Sequence, residues 1–348
     1  MNNHLIISLE KNVLNEIENK DVTSHKKIIK LVVKLVFFSF LLFVIVISYI
    51  IIQYYVEKFE KYELNPVLGD NLTGSLFDPC VIQDKNGSYR MYVSWRNFGS
   101  IALSSSKDGI NWSNLSIALD KGKPNSWQNI VNRACVIYKD GIYHMWYTGQ
   151  NNDMSKIGYS KSKDGYNFTR LEEPILVPEY KYEKQSVMNP YVIFDEEEKI
   201  YKMWYAAGET YEPDVIAYAT SNDGLNWKKY DKNPIFTPNH QFFSFDSFKV
   251  GACDMHKLKD NTYFMFYIGY SDLDTARIFV AKSKNGINKW KRSNPIIGPS
   301  KNKFDSNACY KPSAIYNSKI NRWMVWYNGR TDGKEYIGLA MNVSSFIK

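Results

Sequence analysis

The stretch Tyr143-His144-Met145-Trp146-Tyr147 is one of five related segments, and these segments decide the fold. Each is too short for a helix and is rich in the aromatic residues that favour strands. The other four are Tyr89-Arg90-Met91-Tyr92-Val93, Tyr201-Lys202-Met203-Trp204-Tyr205, Tyr263-Phe264-Met265-Phe266-Tyr267 and Trp323-Met324-Val325-Trp326-Tyr327. Their methionines lie 54, 58, 62 and 59 residues apart, and a repeat of this period predicts an array of identical supersecondary units.

Each segment has further strand-like neighbours at nearly constant offsets, as the second repeat shows. Cys135-Val136-Ile137 precedes it, and Ile157-Gly158-Tyr159-Ser160 follows it. The hairpin signal Ser162-Lys163-Asp164-Gly165 comes next, because Asp and Gly tolerate positive φ. The fourth strand reads Pro174-Ile175-Leu176, and proline suits an edge strand, where its missing N–H donor matters least.

Five such units predict an all-β protein, a five-bladed β-propeller of four-stranded antiparallel blades over residues 65–348. The last unit ends after Ile337-Gly338-Leu339-Ala340 and lacks its outer strand. Asn65-Pro66-Val67-Leu68 has the outer-strand signature and precedes the first unit. We therefore predict that it completes the fifth blade and closes the ring, since an open edge would otherwise remain.

One transmembrane helix is predicted before the propeller. Residues Leu35 to Ile52 carry no charge and are long enough to cross a bilayer, so residues 31–54 are predicted to be a signal anchor in the lipid. Lysines flank the amino-terminal side, which puts the tail, residues 1–30, in the cytoplasm. A stem at 55–64 then leads to a propeller outside the cytoplasm or in a lumen, and a cleaved signal peptide is the alternative.

Charge and cysteine content limit the kinds of partner and bound group that can be expected. The formal charge of +8 is spread along the chain, without a basic run or a nucleic-acid-binding motif, so no nucleic-acid partner is expected. The four cysteines form no CxxC pair and have no histidine at zinc spacing. Cys80 and Cys135 occupy equivalent positions, where packing, a disulfide between neighbouring blades or, least favoured, a metal site remain open.

Polar residues at equivalent positions predict a ligand funnel. The starts of the five inner strands carry Asp78, Arg133, Asn189, Ala252 and Lys311. Apolar residues would be expected there if packing alone decided, and a water-filled tunnel mouth is the alternative. Loops on the same face add an aromatic residue, amides and charged groups, which suit a carbohydrate ligand. These are Trp95, Arg96, Glu209, Asn328 and Arg330.

The repeats together resemble the five-bladed glycoside hydrolase propellers, the arabinanase, levansucrase and invertase superfamily with families 43, 32 and 130. Family 43-type enzymes carry a general-base Asp in an Asp-Pro pair on blade one, and Asp78-Pro79 matches it. Where they carry an Asp on blade three, this chain has Asn189, and blade four lacks their general-acid Glu. The Glu-Asp-Pro-Arg motif of family 130 phosphorylases is replaced by Asn132-Arg133-Ala134.

These observations lead to a set of expectations about chemistry. Glycoside hydrolysis usually needs one ionised and one protonated carboxyl group. Asp78 is the expected ionised group, and Asp254 or Glu209 the proton donor, with Asp254 favoured because it lies on blade four. The expected function is a membrane-anchored glycosidase acting on an extracytoplasmic saccharide, without a cofactor, and a structural Ca²⁺ is left open. A glycan-binding propeller that has lost catalysis and a phosphorylase or transglycosylase are the alternatives.

Overall fold

In the computed structural model, residues 30–48, 59–152, 154–241 and 244–343 are described, together with Lys11. The chain divides into two compact units, Met1–Val56 and Glu57–Lys348. The predicted cytoplasmic tail, apart from Lys11 and Lys30, lies outside the described residues, as do residues 49–54 of the predicted anchor.

The first unit contains the helix α1 (Lys30–Ser48), 19 residues long. At 1.5 Å per residue it extends about 28 Å, close to the hydrocarbon thickness of a bilayer. None of its apolar surface is buried by the protein. A helix with this length and composition is typical of a membrane span or of a signal sequence.

The second unit is mostly β, as the aromatic repeats predict. Its described residues form twenty strands and one short 3-10 helix, Lys181–Glu183. The strands are β1 (Phe59–Lys61), β2 (Leu76–Gln83), β3 (Tyr89–Trp95), β4 (Ser100–Ser106), β5 (Ser116–Leu119), β6 (Ile130–Lys139), β7 (Ile142–Asn151), β8 (Met154–Ser162), β9 (Thr169–Arg170), β10 (Ser186–Asp195), β11 (Ile200–Gly208), β12 (Pro213–Ser221), β13 (Lys228–Lys229), β14 (Lys249–Lys257), β15 (Tyr263–Tyr270), β16 (Ala276–Ser283), β17 (Lys291–Arg292), β18 (Ala308–Asn317), β19 (Arg322–Thr331) and β20 (Lys334–Asn342).

Within each group, consecutive strands pair antiparallel. Three sheets have four strands each, in the orders β2-β3-β4-β5, β14-β15-β16-β17 and β1-β20-β19-β18. A fourth sheet has eight strands, because β10 and β8 are joined by one parallel pairing, Ser186 with Ser155. The second strand of each group carries the aromatic repeat and is buried, with Trp146, Trp204 and Trp326 fully enclosed.

The first strands of the five groups, β2, β6, β10, β14 and β18, contact one another in a closed ring. Side chains at equivalent positions hold the ring together, because each accepts a hydrogen bond from a backbone N–H of the next strand. The bonds join Cys80 Sγ to Val136 N (3.2 Å), Cys135 Sγ to Val192 N (3.2 Å), Asp254 Oδ2 to Ala314 N (3.0 Å) and Ser313 Oγ to Val81 N (2.9 Å). All four cysteines are free thiols and buried.

Four hairpins of the form Ser-x-Asp-Gly or Ser-x-Asn-Gly connect neighbouring groups, at four of the five junctions. Ser106 Oγ accepts the Gly109 N–H at 2.8 Å, and the Gly109 carbonyl accepts Trp326 Nε1–H at 2.8 Å. A Cβ on Gly109 would lie 2.7 Å from the Trp326 ring, and its φ is +76°, so glycine is required twice over. Equivalent bonds run from Tyr92 to Gly165, from Trp146 to Gly224 and from Trp204 to Gly286.

The segment predicted to close the ring does pair with β20. Val67 N donates to the Ile337 carbonyl at 2.8 Å, and Asn65 Nδ2 donates to the Leu339 carbonyl at 2.9 Å. Strand β1, within the stretch predicted as the stem, also pairs with β20, and Lys61 Nζ lies 2.5 Å from the buried Asp305 Oδ2. The fourth sheet position of the last group is thus filled by residues that precede the first group.

Candidate active site

Each of the five ring strands contains a β-bulge near its amino-terminal end. The strand pairing shifts register by one residue at Asp78, Arg133, Asn189, Ala252 and Lys311. Bulges are frequent beside active sites because they re-aim a side chain. The first four of these residues have positive φ, between +36° and +56°, whereas the φ of Lys311 is not positive.

A cavity of about 330 Å³ lies at the amino-terminal ends of the ring strands. Seven of the ten residues predicted to act on a ligand line it: Asp78, Trp95, Arg96, Arg133, Asn189, Asn328 and Arg330. Ala252 lines it as well. The structure therefore brings together side chains that are up to 252 residues apart in the sequence.

Asp78 lies at the centre of this cavity's hydrogen-bond network and is 7% exposed. Its Oδ2 atom accepts from Asn189 Nδ2 at 2.9 Å and lies 3.2 Å from Arg133 Nε. The Asp78 backbone N–H donates to Asn328 Oδ1 at 3.2 Å. One amide and one guanidinium thus hold the carboxylate from a single side, since both contacts are to Oδ2.

Glu212 is a second carboxyl group in the same cavity, and the sequence interpretation did not select it. Burial raises the pKa of Glu212, and a hydrogen bond with Tyr270 and the charges of Arg330 and Arg133 only partly oppose that shift. Among the described residues, its carboxylate has no ion pair within 4 Å. A carboxyl group with a raised pKa in a partly dry niche retains a proton that it can deliver.

Glu335 is the third carboxyl group of the cavity. Burial also raises its pKa, although Arg96 opposes the shift. Its Oε2 atom is ion-paired with Arg96 Nη2, and its Oε1 atom accepts from Asn328 Nδ2 at 3.2 Å. With both oxygens engaged, Glu335 positions Arg96 and Asn328 rather than facing a ligand.

Several polar atoms on the cavity wall are buried without a hydrogen-bond partner among the described residues. They are Arg133 Nη1, Asn132 Oδ1 and the Tyr310 hydroxyl. An unsatisfied buried polar group is unfavourable unless water or a ligand completes its bonding. Two donors and one acceptor in the residues of this wall therefore lack a protein partner.

Aromatic rings border the same space. Trp95 packs against Phe98 with ring centroids 4.2 Å apart, and its Nε1–H donates to the Thr73 carbonyl at 2.8 Å, which fixes the indole. Tyr211 is 61% exposed at the edge of the cavity. Fixed aromatic faces at a polar cavity suit the apolar faces of sugar rings.

Asp254 lies in a different place from Asp78. It lines a second cavity, of about 460 Å³, formed by the middle and carboxyl-terminal parts of the ring strands. Asp254 Oδ2 accepts the Ala314 N–H at 3.0 Å, and Oδ1 lies 2.6 Å from His256 Nε2. Its carboxylate therefore joins two ring strands and does not reach the Asp78 cavity.

Lys311 also faces the second cavity. It is 2% exposed, and its ammonium donates to the Pro79 and Ala134 carbonyls at 3.3 and 3.5 Å. Without the positive φ of the other four bulge residues, its side chain runs along the ring axis towards the other end. The sequence position alone could not reveal this, because equivalence in a repeat does not fix the local φ.

Glu209 lies outside the cavity that contains Asp78. Its side chain is half exposed and bridges Lys184 at 3.1 Å and Lys249 at 2.5 Å. Hydrogen bonds from these two lysines lower the pKa of Glu209, the opposite of what a proton donor needs. Glu212, three residues further along the same loop, occupies the drier position.

Sequence reasoning missed Glu212, Glu335, Tyr270 and Tyr310. Glu212 could have been considered from the sequence, since it precedes Pro213 in the same loop as Glu209, which was predicted as a possible proton donor. Tyr270 and Tyr310 had no distinguishing signal in a chain with 26 tyrosines. Their relevance comes from burial in the cavity wall, which only the folded chain defines.

The chain resembles known carbohydrate-active proteins in sequence and in structure. It is 25% identical over 223 residues to the 1,2-beta-oligomannan phosphorylase of Thermoanaerobacter sp. (strain X514), covering 61% of this chain and 69% of that protein. It is 31% identical over 122 residues to the beta-1,2-mannobiose phosphorylase of the same organism, covering 30% of this chain and 40% of that protein. The crystal structure of a thermostable family-43 glycoside hydrolase superposes with a TM-score of 0.64 at 17% identity, covering 81% of this chain and 94% of that one.

The likeness in structure supports the mostly β, propeller-like fold. The sequence model of the glycosyl hydrolases family 43 matches residues 64–239. This is half of the 348 residues, so the match is not limited to one motif. That segment includes Asp78, Arg133, Asn189 and Glu212. On this match, the chain belongs to the glycosyl hydrolases family 43.

Proposed function

We propose that the chain is a glycoside hydrolase that cleaves a poly- or oligosaccharide in the Asp78 cavity by acid and base catalysis. The observation that carries the proposal is one cavity that contains two carboxyl groups in contrasting environments. Asp78 is held by an amide and a guanidinium, whereas burial raises the pKa of Glu212. One ionised and one protonated carboxyl group are the usual requirement for glycoside hydrolysis.

In the proposed reaction, Glu212 donates its proton to the glycosidic oxygen as the bond from that oxygen to the anomeric carbon breaks. Asp78 removes a proton from a water molecule, and the water oxygen forms the new bond to the anomeric carbon. Glu212 thus replaces Asp254 as the proposed acid, because Asp254 lines the other cavity. Asp78 then releases its proton to solvent and Glu212 takes up a proton from solvent, which restores both groups.

Substrate binding is assigned to the remaining cavity residues. Trp95 and Tyr211 offer ring faces, and Arg133 Nη1 and Tyr310 offer unpartnered donors. Asn189 orients Asp78 through a 2.9 Å hydrogen bond, so in this chain it is a positioning residue at the place where family 43-type enzymes carry an Asp.

The architecture proposed for this activity is a five-bladed propeller with four antiparallel strands in each blade. The closed ring of five first strands and the shared pattern of Gly carbonyl bonds support it. Helix α1 is proposed to anchor the enzyme in a lipid bilayer, with the propeller outside the cytoplasm. Protease added to sealed, right-side-out membranes should then degrade the propeller, and degradation only after the membranes are permeabilised would contradict this orientation.

A phosphorylase is the second candidate. Three arginines line the cavity, Arg96, Arg133 and Arg330, and guanidinium groups suit phosphate. The two Thermoanaerobacter relatives are named as phosphorylases of β-1,2-mannosides. Phosphate would take the place of the attacking water, and a sugar phosphate would be released.

The deciding experiment uses the full-length chain in a sugar-free detergent, with an Asp78→Asn variant as its twin. Both are incubated with a broad panel of oligosaccharides, with and without inorganic phosphate, and released sugar is measured. Release of free sugar by the parent and loss of it in the twin would support the hydrolase. Sugar phosphate formed only with phosphate would favour the phosphorylase, and glycan binding without release would favour a non-catalytic glycan-binding protein.

A further inference from the structure

The Asp78 cavity has an excess of unpartnered donors on one side. Arg133 Nη1 and the Tyr310 hydroxyl are buried and lack a partner among the described residues. The Arg330 guanidinium lies over the Tyr310 ring, 5.3 Å from its centroid, so the two groups share one part of the wall. Burial raises the pKa of Tyr310, which keeps its hydroxyl protonated as a donor.

The three arginines of the cavity differ in how their charge is balanced. Arg96 is ion-paired with the buried Glu335, and Arg133 lies 3.2 Å from Asp78. Arg330 has only one carboxylate within 4 Å among the described residues, Asp274 at 3.6 Å. The Asp274 side chain is 89% exposed, so solvent and salt screen that pair.

Arg330 is therefore a cavity cation that, among the described residues, has no buried carboxylate within 4 Å, although the carboxyl groups of Glu212 and Glu335 are near enough to interact with its charge. Glu212 does not balance it in the acid form that the proposed reaction needs. A sugar hydroxyl would satisfy a donor but would leave the charge, whereas a carboxylate would satisfy the donors and neutralise the charge together. The net positive charge of the whole chain, +8, would also speed the approach of an anionic glycan.

We propose that the natural substrate is an acidic saccharide, and that Arg330 with the Tyr310 hydroxyl binds the carboxylate of a uronic acid residue. This inference rests on the proposed function, since it assigns the substrate class of the same cavity. Arg330 is a specificity residue here, because it contacts a part of the substrate that does not react.

The test compares matched substrates. Oligosaccharides containing glucuronate, galacturonate or mannuronate are used beside the same compounds after reduction of the carboxyl group to a neutral alcohol. The full-length chain should turn over or bind the acidic member at least tenfold better, the range expected of a hydrogen bond to a charged group. The Arg330→Gln variant should lose that preference, so that the ratio of its kcat/KM values for the acidic and neutral members falls towards one.

Arg322→Gln is the matched control, because Arg322 lies at the other end of the same strand, β19, and is exposed. It should keep the preference for the acidic member. Equal turnover of both members by the parent chain, or a preference that survives in Arg330→Gln, would overturn the inference while leaving the hydrolase proposal intact. Phosphate-dependent release of sugar phosphate that is lost in Arg330→Gln would assign the arginine to phosphate and would also overturn it.

Binding separates the two proposals if no substrate is cleaved. The Glu212→Gln variant is titrated calorimetrically with both members of each pair, alone and combined with Arg330→Gln. A preference for the acidic member that Arg330→Gln removes would support the acidic-saccharide inference even if hydrolysis fails. Equal affinity for both members would reject the inference whether or not the enzyme is active.

Discussion

The two cavities along the ring of strands are built from the same five strands but differ in what their polar groups do. In the Asp78 cavity, donors and acceptors such as Arg133 Nη1 and the Tyr310 hydroxyl are left without partners. In the second cavity, Asp254 Oδ2 bonds to the neighbouring strand and Lys311 donates to two backbone carbonyls. Asp254 Oδ1 and His256 Nε2 in the second cavity also lack a hydrogen-bond partner among the described residues, so unpartnered atoms are common to both cavities. The difference is that the polar side chains of the second cavity join ring strands, whereas those of the first hold the Asp78 carboxylate.

The difference arises from the backbone. Positive φ at the bulges turns Asp78, Arg133 and Asn189 towards the first cavity. Lys311 stands at the equivalent bulge without positive φ, and it lines the second cavity. A charged side chain near the ring axis is therefore available for ligand binding if it faces the first cavity, and it stabilises the ring if it faces the second.

The sharpest test of this comparison replaces one carboxyl group in each cavity by the corresponding amide. Glu212→Gln should lower kcat/KM by about 10²- to 10⁴-fold, because the amide cannot donate the proton that a general acid supplies. Asp254→Asn should change kcat/KM by less than about threefold, if general acid–base catalysis resides only in the first cavity. A large loss in Asp254→Asn with an active Glu212→Gln would reverse the assignment and restore the prediction made from blade position.

The dependence of activity on pH sharpens the same contrast. A general acid works only while protonated, so activity falls as pH rises through its pKa. Because burial raises the pKa of Glu212, the alkaline fall of kcat/KM should lie above the ordinary glutamate value of 4.5. The Glu212→Gln variant should lose this limb in its residual activity, and an unchanged profile would exclude Glu212 as the acid.

Substitutions in the second cavity should affect the stability of the fold more than the activity. Asp254→Ala leaves the Ala314 N–H without its acceptor and removes the carboxylate beside His256, which should lower the free energy of unfolding by about 1.5–3 kcal/mol. Asn189→Gly, in the first cavity, serves as the comparison, because glycine tolerates the positive φ of this position. It should lose activity more than stability, since the amide that it removes orients Asp78. Chemical denaturation measures both, and equal destabilisation would mean that the two ends are not specialised.

The smallest effect concerns the ring that both cavities share. Trp326→Phe removes the 2.8 Å bond to the Gly109 carbonyl and should lower stability by about 1 kcal/mol. Phe266 occupies the equivalent position in its own group. Tyr92→Phe, which removes the equivalent 2.8 Å bond to the Gly165 carbonyl and keeps the ring, is the matched variant, and thermal unfolding of both variants checks the expectation.

Much of the fold could be predicted from local pattern. The spacing of aromatic segments and Asp-Gly turns predicts short strands in repeated groups, and the mostly β structure confirms it. Asn65 and Val67 were correctly expected to bond to the last group, because that group lacked a strand. Strand β1 was not anticipated, since its three residues carry no pattern that separates them from a linker.

The sequence by itself determined the repeated strands, the position of Asp78 in an Asp-Pro pair and the polar character of the ring. Only the tertiary structure decided which carboxyl groups share a cavity with Asp78: Glu212 and Glu335 do, and Asp254 and Glu209 do not. The physical reason is that the pKa of a carboxyl group depends on its burial and on the charges around it. Those neighbours come from strands far apart in the chain, and backbone φ at each bulge decides which of them a side chain meets.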